Sequence, residues 1–148
     1  AAVPDALEED TARLVAFRLA RQQHLLDGGA PKIRVVLDEA VLLRPIGSPQ
    51  AWRGQLKHLA TAAKAGVALH VLPLDVGAHP AMGVPFSILT VAEEPALDAV
   101  YLEDDRSGRE LQRPADLHHY HGIFDRLTSM SWPVEQSVAY LSRLARNA

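Results

Sequence analysis

Cysteine is absent from the 148 residues. That excludes a disulfide framework, a thiol nucleophile and thiolate ligation of a metal, and it fits a reducing cytoplasm. No apolar run approaches the roughly 18 residues that a membrane-spanning helix needs, and Ala1 to Asp10 are acidic where a secretory leader would be basic and then apolar. The expectation is a soluble, cytoplasmic protein with no membrane partner. No charge of one sign dominates either: 15 Lys+Arg stand against 18 Asp+Glu, for a net charge of −3 and a pI near 6.2. A surface that gripped phosphates would carry a basic stripe, so this stretch of chain is not expected to bind nucleic acid by itself. There is no G-x-S-x-G nucleophile turn, no glycine-rich phosphate loop and no twelve-residue calcium loop. Repeats and low-complexity stretches are lacking as well.

What is present is the balance of an ordinary folded domain, 48% apolar and 22% charged. The Pro and Gly clusters lie too close together to be linkers, so the economical count is one domain over residues 1–148. A long amphipathic helix is expected from Pro4 through Leu26, stopping at Asp27-Gly28-Gly29. Ile33 to Leu37 read as a buried strand ending at Asp38-Glu39. Ser48 is a plausible N-cap with Pro49 at the first helical position, and Trp52, Leu56, Leu59 and Ala63 form a core-facing stripe up to Gly66. Val67 to Pro73 make a second strand, alternating Val67, Leu69 and Val71 with Ala68, His70 and Leu72. Strand, helix, strand in that order is a right-handed βαβ crossover with parallel strands. Phe86 to Val91, Ala99 to Glu103 and Arg109 to Gln112 read as antiparallel strands, the last two joined by a hairpin in which Gly108 takes a positive φ. Helices follow over Pro114 to Thr128 and Pro133 to Arg146. The fold class is α/β (α+β): one mixed sheet of about five strands, an amino-terminal helix and two carboxy-terminal helices.

Three places invite chemistry. His118 and His121 lie three apart on a helix, near Asp116 and Asp125, and two imidazoles on one face can begin a metal site. The bland alternative is a helix with solvated histidines. Glu103-Asp104-Asp105 has the charge to chelate a cation, against a solvated turn as the plainer reading. The third place is the carboxyl end of the parallel strands, where ligands gather in open sheets. Asp38-Glu39 and the loop Leu74 to Pro85 should meet there, with Arg44, His79 and Pro80 as polar and rigid markers. His79 paired with Glu39 or Asp38 would resemble acid/base machinery, while an apolar docking groove with a few polar anchors competes with that reading. Of the two indoles, Trp52 falls on a core stripe, and Trp132, at Ser131-Trp132-Pro133, could anchor a partner.

Several stretches together resemble one family: Arg21 to Leu26, Val36 to Leu42 running on to Arg44-Pro45-Ile46-Gly47, Gln55 to Leu59, Val71-Leu72-Pro73 with Gly77-Ala78-His79-Pro80, and Pro85-Phe86. Tyr101-Leu102-Glu103, Pro114 to Leu117 with Tyr120, Phe124 to Leu127 and Ser131 to Ser137 continue the match, which covers roughly residues 13 to 146. The chain is similar to the carboxy-terminal domain of unknown function of actinobacterial helix-turn-helix, antitoxin-like (Scr-type) transcriptional regulators. Leu74-Asp75 and the charged Asp104-Asp105-Arg106 hairpin depart from the usual pattern.

The resemblance implies a regulatory domain that contacts DNA only through a separate amino-terminal helix-turn-helix module. It implies a partner in a small protein encoded next to the regulator, with a small-molecule effector and a homodimer as further expectations. The resemblance supplies no catalytic residue, and no enzyme activity, metal or cofactor is expected. The ligand- or partner-binding set is Glu39, Arg44, His79, Pro80, Phe86 and Trp132. The competing function is a metal-dependent hydrolase using histidines of the 118–121 cluster or His79.

Overall fold

The computed structural model describes residues 11–20, 31–83, 85–91, 93–103 and 108–148. Two compact units are distinguishable, Ala1–Ile33 and Arg34–Ala148. In the first, residues 11–20 form helix α1; the rest of the helix expected over Pro4 to Leu26, and its Gly28-Gly29 stop, lie outside the described residues. The second unit holds the candidate site.

It begins with the expected crossover. Strand β1 (Arg34–Asp38) leads through a single helical turn, α2 (Glu39–Leu42), and helix α3 (Pro49–Lys64) to strand β2 (Ala68–Leu72). The two strands pair in parallel, with Arg34 opposite Ala68 and Asp38 opposite Leu72. Local chemistry sets the helix limits. The Ser48 hydroxyl accepts from the Ala51 amide at 3.1 Å, Pro49 occupies the first turn, and Gly66 reverses the chain at a φ of 116° that a side chain would resist.

Helix α3 turns Leu56, Ala60 and Ala63 inward, and they meet Leu69 and Val71 of β2 and Leu42 of α2. Helix α5 (Val134–Asn147) closes this core with Tyr140, Leu141 and Ala145. Trp52 packs against the same cluster, as its place on the stripe implies. Helix α4 (Pro114–Met130) packs against β1 and β2 and also against strands β3 (Phe86–Leu89) and β4 (Ala99–Glu103). On its way Arg34 reaches Asp125 at 3.6 Å and lies 4.8 Å from the centre of the Phe124 ring.

Strands β3, β4 and β5 (Gly108–Leu111) form an antiparallel meander, as their spacing predicts. The five strands of the described residues lie in two sheets, however, and not in the single mixed sheet expected. The reason is visible at the outer edge of β2. There the Val71 amide donates to Ser137 Oγ at 3.0 Å, and the Val71 carbonyl accepts from the Trp132 amide at 2.9 Å. His70 Nδ1 donates to the Trp132 carbonyl at 2.9 Å. The α4–α5 junction thus takes the place of a third strand at the outer edge of β2. Gly108 is a second correction: it starts β5 and is not among the glycines with positive φ, which in the described residues are Gly47, Gly66 and Gly77. Residues 104–107 of that hairpin, with Asp104 and Asp105, lie outside the described residues. Among those residues no helix is long and apolar enough to cross a membrane.

Ser137 is fully buried. Its hydroxyl accepts from Val71 and donates toward the Pro133 and Trp132 carbonyls. Ser137→Ala strands a buried amide, so it should lower the unfolding free energy by about 1–3 kcal/mol. Leu141→Ala, at a fully buried site, should lower it by about 2–5 kcal/mol. Urea unfolding of both variants checks the pair, and Ser137→Ala unfolding like the parent would contradict this account of the strand edge.

Candidate functional site

The carboxyl ends of β1 and β2 bring Asp38, Glu39 and the loop after β2 together. Asp38 has two tasks: Oδ1 accepts from the Ala40 amide at 2.8 Å and so caps α2, while Oδ2 lies 3.3 Å from His79 Nε2. His79 reaches that position because a 3-10 turn, Leu74–Val76, ends at Gly77, whose φ of 66° swings the following residues back toward β1. The His79 side chain is only 9% exposed. Its Nδ1 is buried and has no hydrogen-bond partner among the described residues.

Glu39 does not pair with His79. One carboxylate oxygen, Oε2, accepts from the Leu74 amide at 2.9 Å, and the other, Oε1, accepts from the Tyr140 hydroxyl at 2.5 Å. A single side chain therefore ties the end of β1 to the turn after β2 and to α5. Burial away from water, and then the Glu39 carboxylate at its hydroxyl, push the Tyr140 phenol up to about 12; Arg143, above the ring, opposes this.

Trp132 joins the same network through Tyr140. The two rings meet edge to face with centroids 4.9 Å apart. Beyond them, Arg143 places its guanidinium carbon 5.1 Å from the Tyr140 ring centre. Trp132, Gln136, Ala139, Tyr140, Arg143 and Arg146 line a groove of about 340 Å³.

The six residues expected to form one site are thus only partly brought together. Glu39 and His79 share the sheet edge, and Trp132 connects to Glu39 through Tyr140. Pro80 is exposed beside His79 in sequence. Arg44 is exposed between α2 and α3 and makes no hydrogen bond or ion pair among the described residues. Phe86 instead packs on Tyr120 of α4, ring centres 5.0 Å apart, where β3 meets that helix. Sequence reasoning missed Tyr140, Arg143 and Ser137. The available signal was a serine four residues before Leu141, on the buried side of a helix, where a polar group needs a partner.

The α4 histidines do not converge on a cation. His118, His119 and His121 are exposed, Asp125 faces Arg34, and Asp116 is held by Arg113 through two contacts of 2.7 and 3.1 Å. That hydrogen-bonded guanidinium holds the Asp116 carboxyl below its ordinary range. Among the described residues no group of three or more His, Cys, Asp or Glu side chains is placed to hold a metal.

The fold and this edge define a small α+β domain with a parallel strand pair, a crossover helix and a polar network sealed by its last helix. The chain belongs to the family described as Domain of unknown function (DUF5753), whose model matches residues 1–143. No curated protein and no solved structure matches the chain.

The Tyr140 phenol is harder to ionise folded, at about 12, than at its ordinary 10. The stability this represents is fully present below pH 10 and is lost as pH rises from 10 to about 12, at up to about 1.4 kcal/mol per pH unit. Absorbance titration of the tyrosines should show a late step that Tyr140→Phe removes. A parent protein with no phenol ionising later than the ordinary value would contradict the buried Tyr140–Glu39 contact.

Proposed function

We propose that this domain is the receiving half of a helix-turn-helix, antitoxin-like transcriptional regulator, binding a small protein encoded beside it and catalysing no reaction. In this reading DNA is contacted by a helix-turn-helix module amino-terminal to the domain, in the cytoplasm. Partner binding then alters how the regulator sits on its operator, and dimerisation would match two half-sites.

One observation carries the reading. At the sheet edge Glu39 is fully engaged in holding β1, the Leu74 turn and α5 together, while Val41, Leu43, Ile46, Leu74 and Met82 on the surrounding turns expose large apolar side chains. Apolar side chains on the turns around a rigid polar network suit coverage by another molecule. Arg44, exposed between α2 and α3 without a counter-ion among the described residues, adds a polar anchor. A small-molecule effector on the same edge would act through the same groups.

The test uses the full regulator, its operator and the neighbouring small protein. Co-purification and a changed operator affinity are expected. Ile46→Asp with Met82→Asp should weaken the complex by about tenfold or more, equivalent to about 1.4 kcal/mol. Failure of the two proteins to associate, together with an operator affinity indifferent to the partner, would overturn the proposal.

A hydrolase reading has one observation in its favour: Asp38 lies against one nitrogen of His79 while the other is buried and has no partner among the described residues. Metal analysis of untagged protein and turnover assays on ester and phosphoester substrates separate the readings. Activity abolished by His79→Ala or His121→Ala favours the hydrolase; absence of metal and turnover removes it.

A further inference from the structure

The groove along α5 is lined by none of the exposed turn residues invoked above, and its composition is specific. Its floor is the edge-to-face pair Trp132 and Tyr140. Its wall carries Arg143 and Arg146, both exposed, and neither forms an ion pair with a carboxylate among the described residues. Arg143 lies over the Tyr140 ring, so its planar fork is held in place with donors free. Arg53, by contrast, is occupied: its Nε donates to the Ala148 carbonyl at 2.8 Å.

Trp, Tyr and Arg are the side chains that dominate binding energy at protein interfaces. We propose that this groove docks an acidic segment of a partner protein, with Asp or Glu carboxylates on Arg143 and Arg146 and an apolar side chain against Trp132 and Tyr140. The proposal rests on the regulatory reading and adds a second contact for the same partner, together with the charge of the segment that makes it. Charge complementarity carries it, because the groove holds two exposed guanidiniums that have no counter-ion among the described residues. Two guanidiniums are too few for a nucleic-acid strand, which would need a far longer basic track. A small free anion is disfavoured too. Both arginines lie in the last turns of α5, near its carbonyl end, where the helix offers no amide donors to complete a compact cradle.

The experiment selects a displayed random peptide library on the whole 148-residue chain, with depletion on the Arg143→Glu, Arg146→Glu double variant. Arg109→Glu with Arg126→Glu makes the same charge change at exposed positions outside the groove. Thermal melting confirms that both variants fold. Selected peptides rich in Asp and Glu, bound at least about tenfold more weakly by the groove variant than by the control and weakened by added salt, are the expected result. Enrichment of basic or purely apolar peptides, equal binding by the two variants, or no enrichment would overturn the proposal. Duplex or single-stranded DNA binding that requires Arg143 would do so as well, in favour of a nucleic-acid site. If the groove variant still associates fully with the neighbouring small protein, the regulatory reading stands and only this placement fails. If the parent chain selects acidic peptides yet ignores that protein, the reverse holds.

Discussion

The carboxylate of Glu39 is the constraint on which the second unit depends. It stands where the first parallel strand becomes a helical turn, and its two oxygens accept from groups that arrive from distant parts of the chain, the Leu74 amide and the Tyr140 hydroxyl. A partly buried carboxylate is tolerable only when its lone pairs are engaged, and both oxygens are. The contact with Tyr140 ties α5 to the end of β1, and the same helix carries Ser137 to the outer edge of β2 and buries Leu141 in the core. At Val71 the outer edge of β2 is thereby satisfied without another strand.

This arrangement separates holding from touching. The groups that invite a chemical reading, Asp38, Glu39 and His79, are partly or largely withdrawn, and much of their hydrogen-bonding capacity is directed inward. Among the side chains that face outward are Ile46 and Met82 on the turns, and Arg143 and Arg146 beside Trp132. Tyr140 belongs to both sets, with its hydroxyl on Glu39 and its ring in the groove. Any occupant of that groove therefore rests against a residue that also holds the sheet edge.

Local signals were legible in the sequence. Ser48-Pro49 and the Trp52, Leu56, Leu59, Ala63 stripe define α3, and two β-branched strands on either side of it define the parallel pair. The rule that ligands gather at strand carboxyl ends correctly brought Glu39 and the His79 loop to one edge. Which carboxylate would face His79 was not legible, because one residue of offset at a cap decides between Asp38 and Glu39. The division into two sheets was hidden for a different reason: it follows from a serine hydroxyl 66 residues from its amide partner. The contact of Phe86 with Tyr120 was not legible, because an aromatic at a strand start reads alike whether it lines a pocket or packs on a helix.

The central claim is that Glu39 serves the architecture, and a double-mutant cycle on Glu39→Ala and Tyr140→Phe, followed by urea unfolding, addresses it most directly. The account predicts that each single change destabilises the domain and that the pair together costs less than the sum, with a coupling of about 0.5–3 kcal/mol. Strict additivity, with a Glu39→Ala variant as stable as the parent, would contradict it and return that carboxylate to the list of groups free for chemistry.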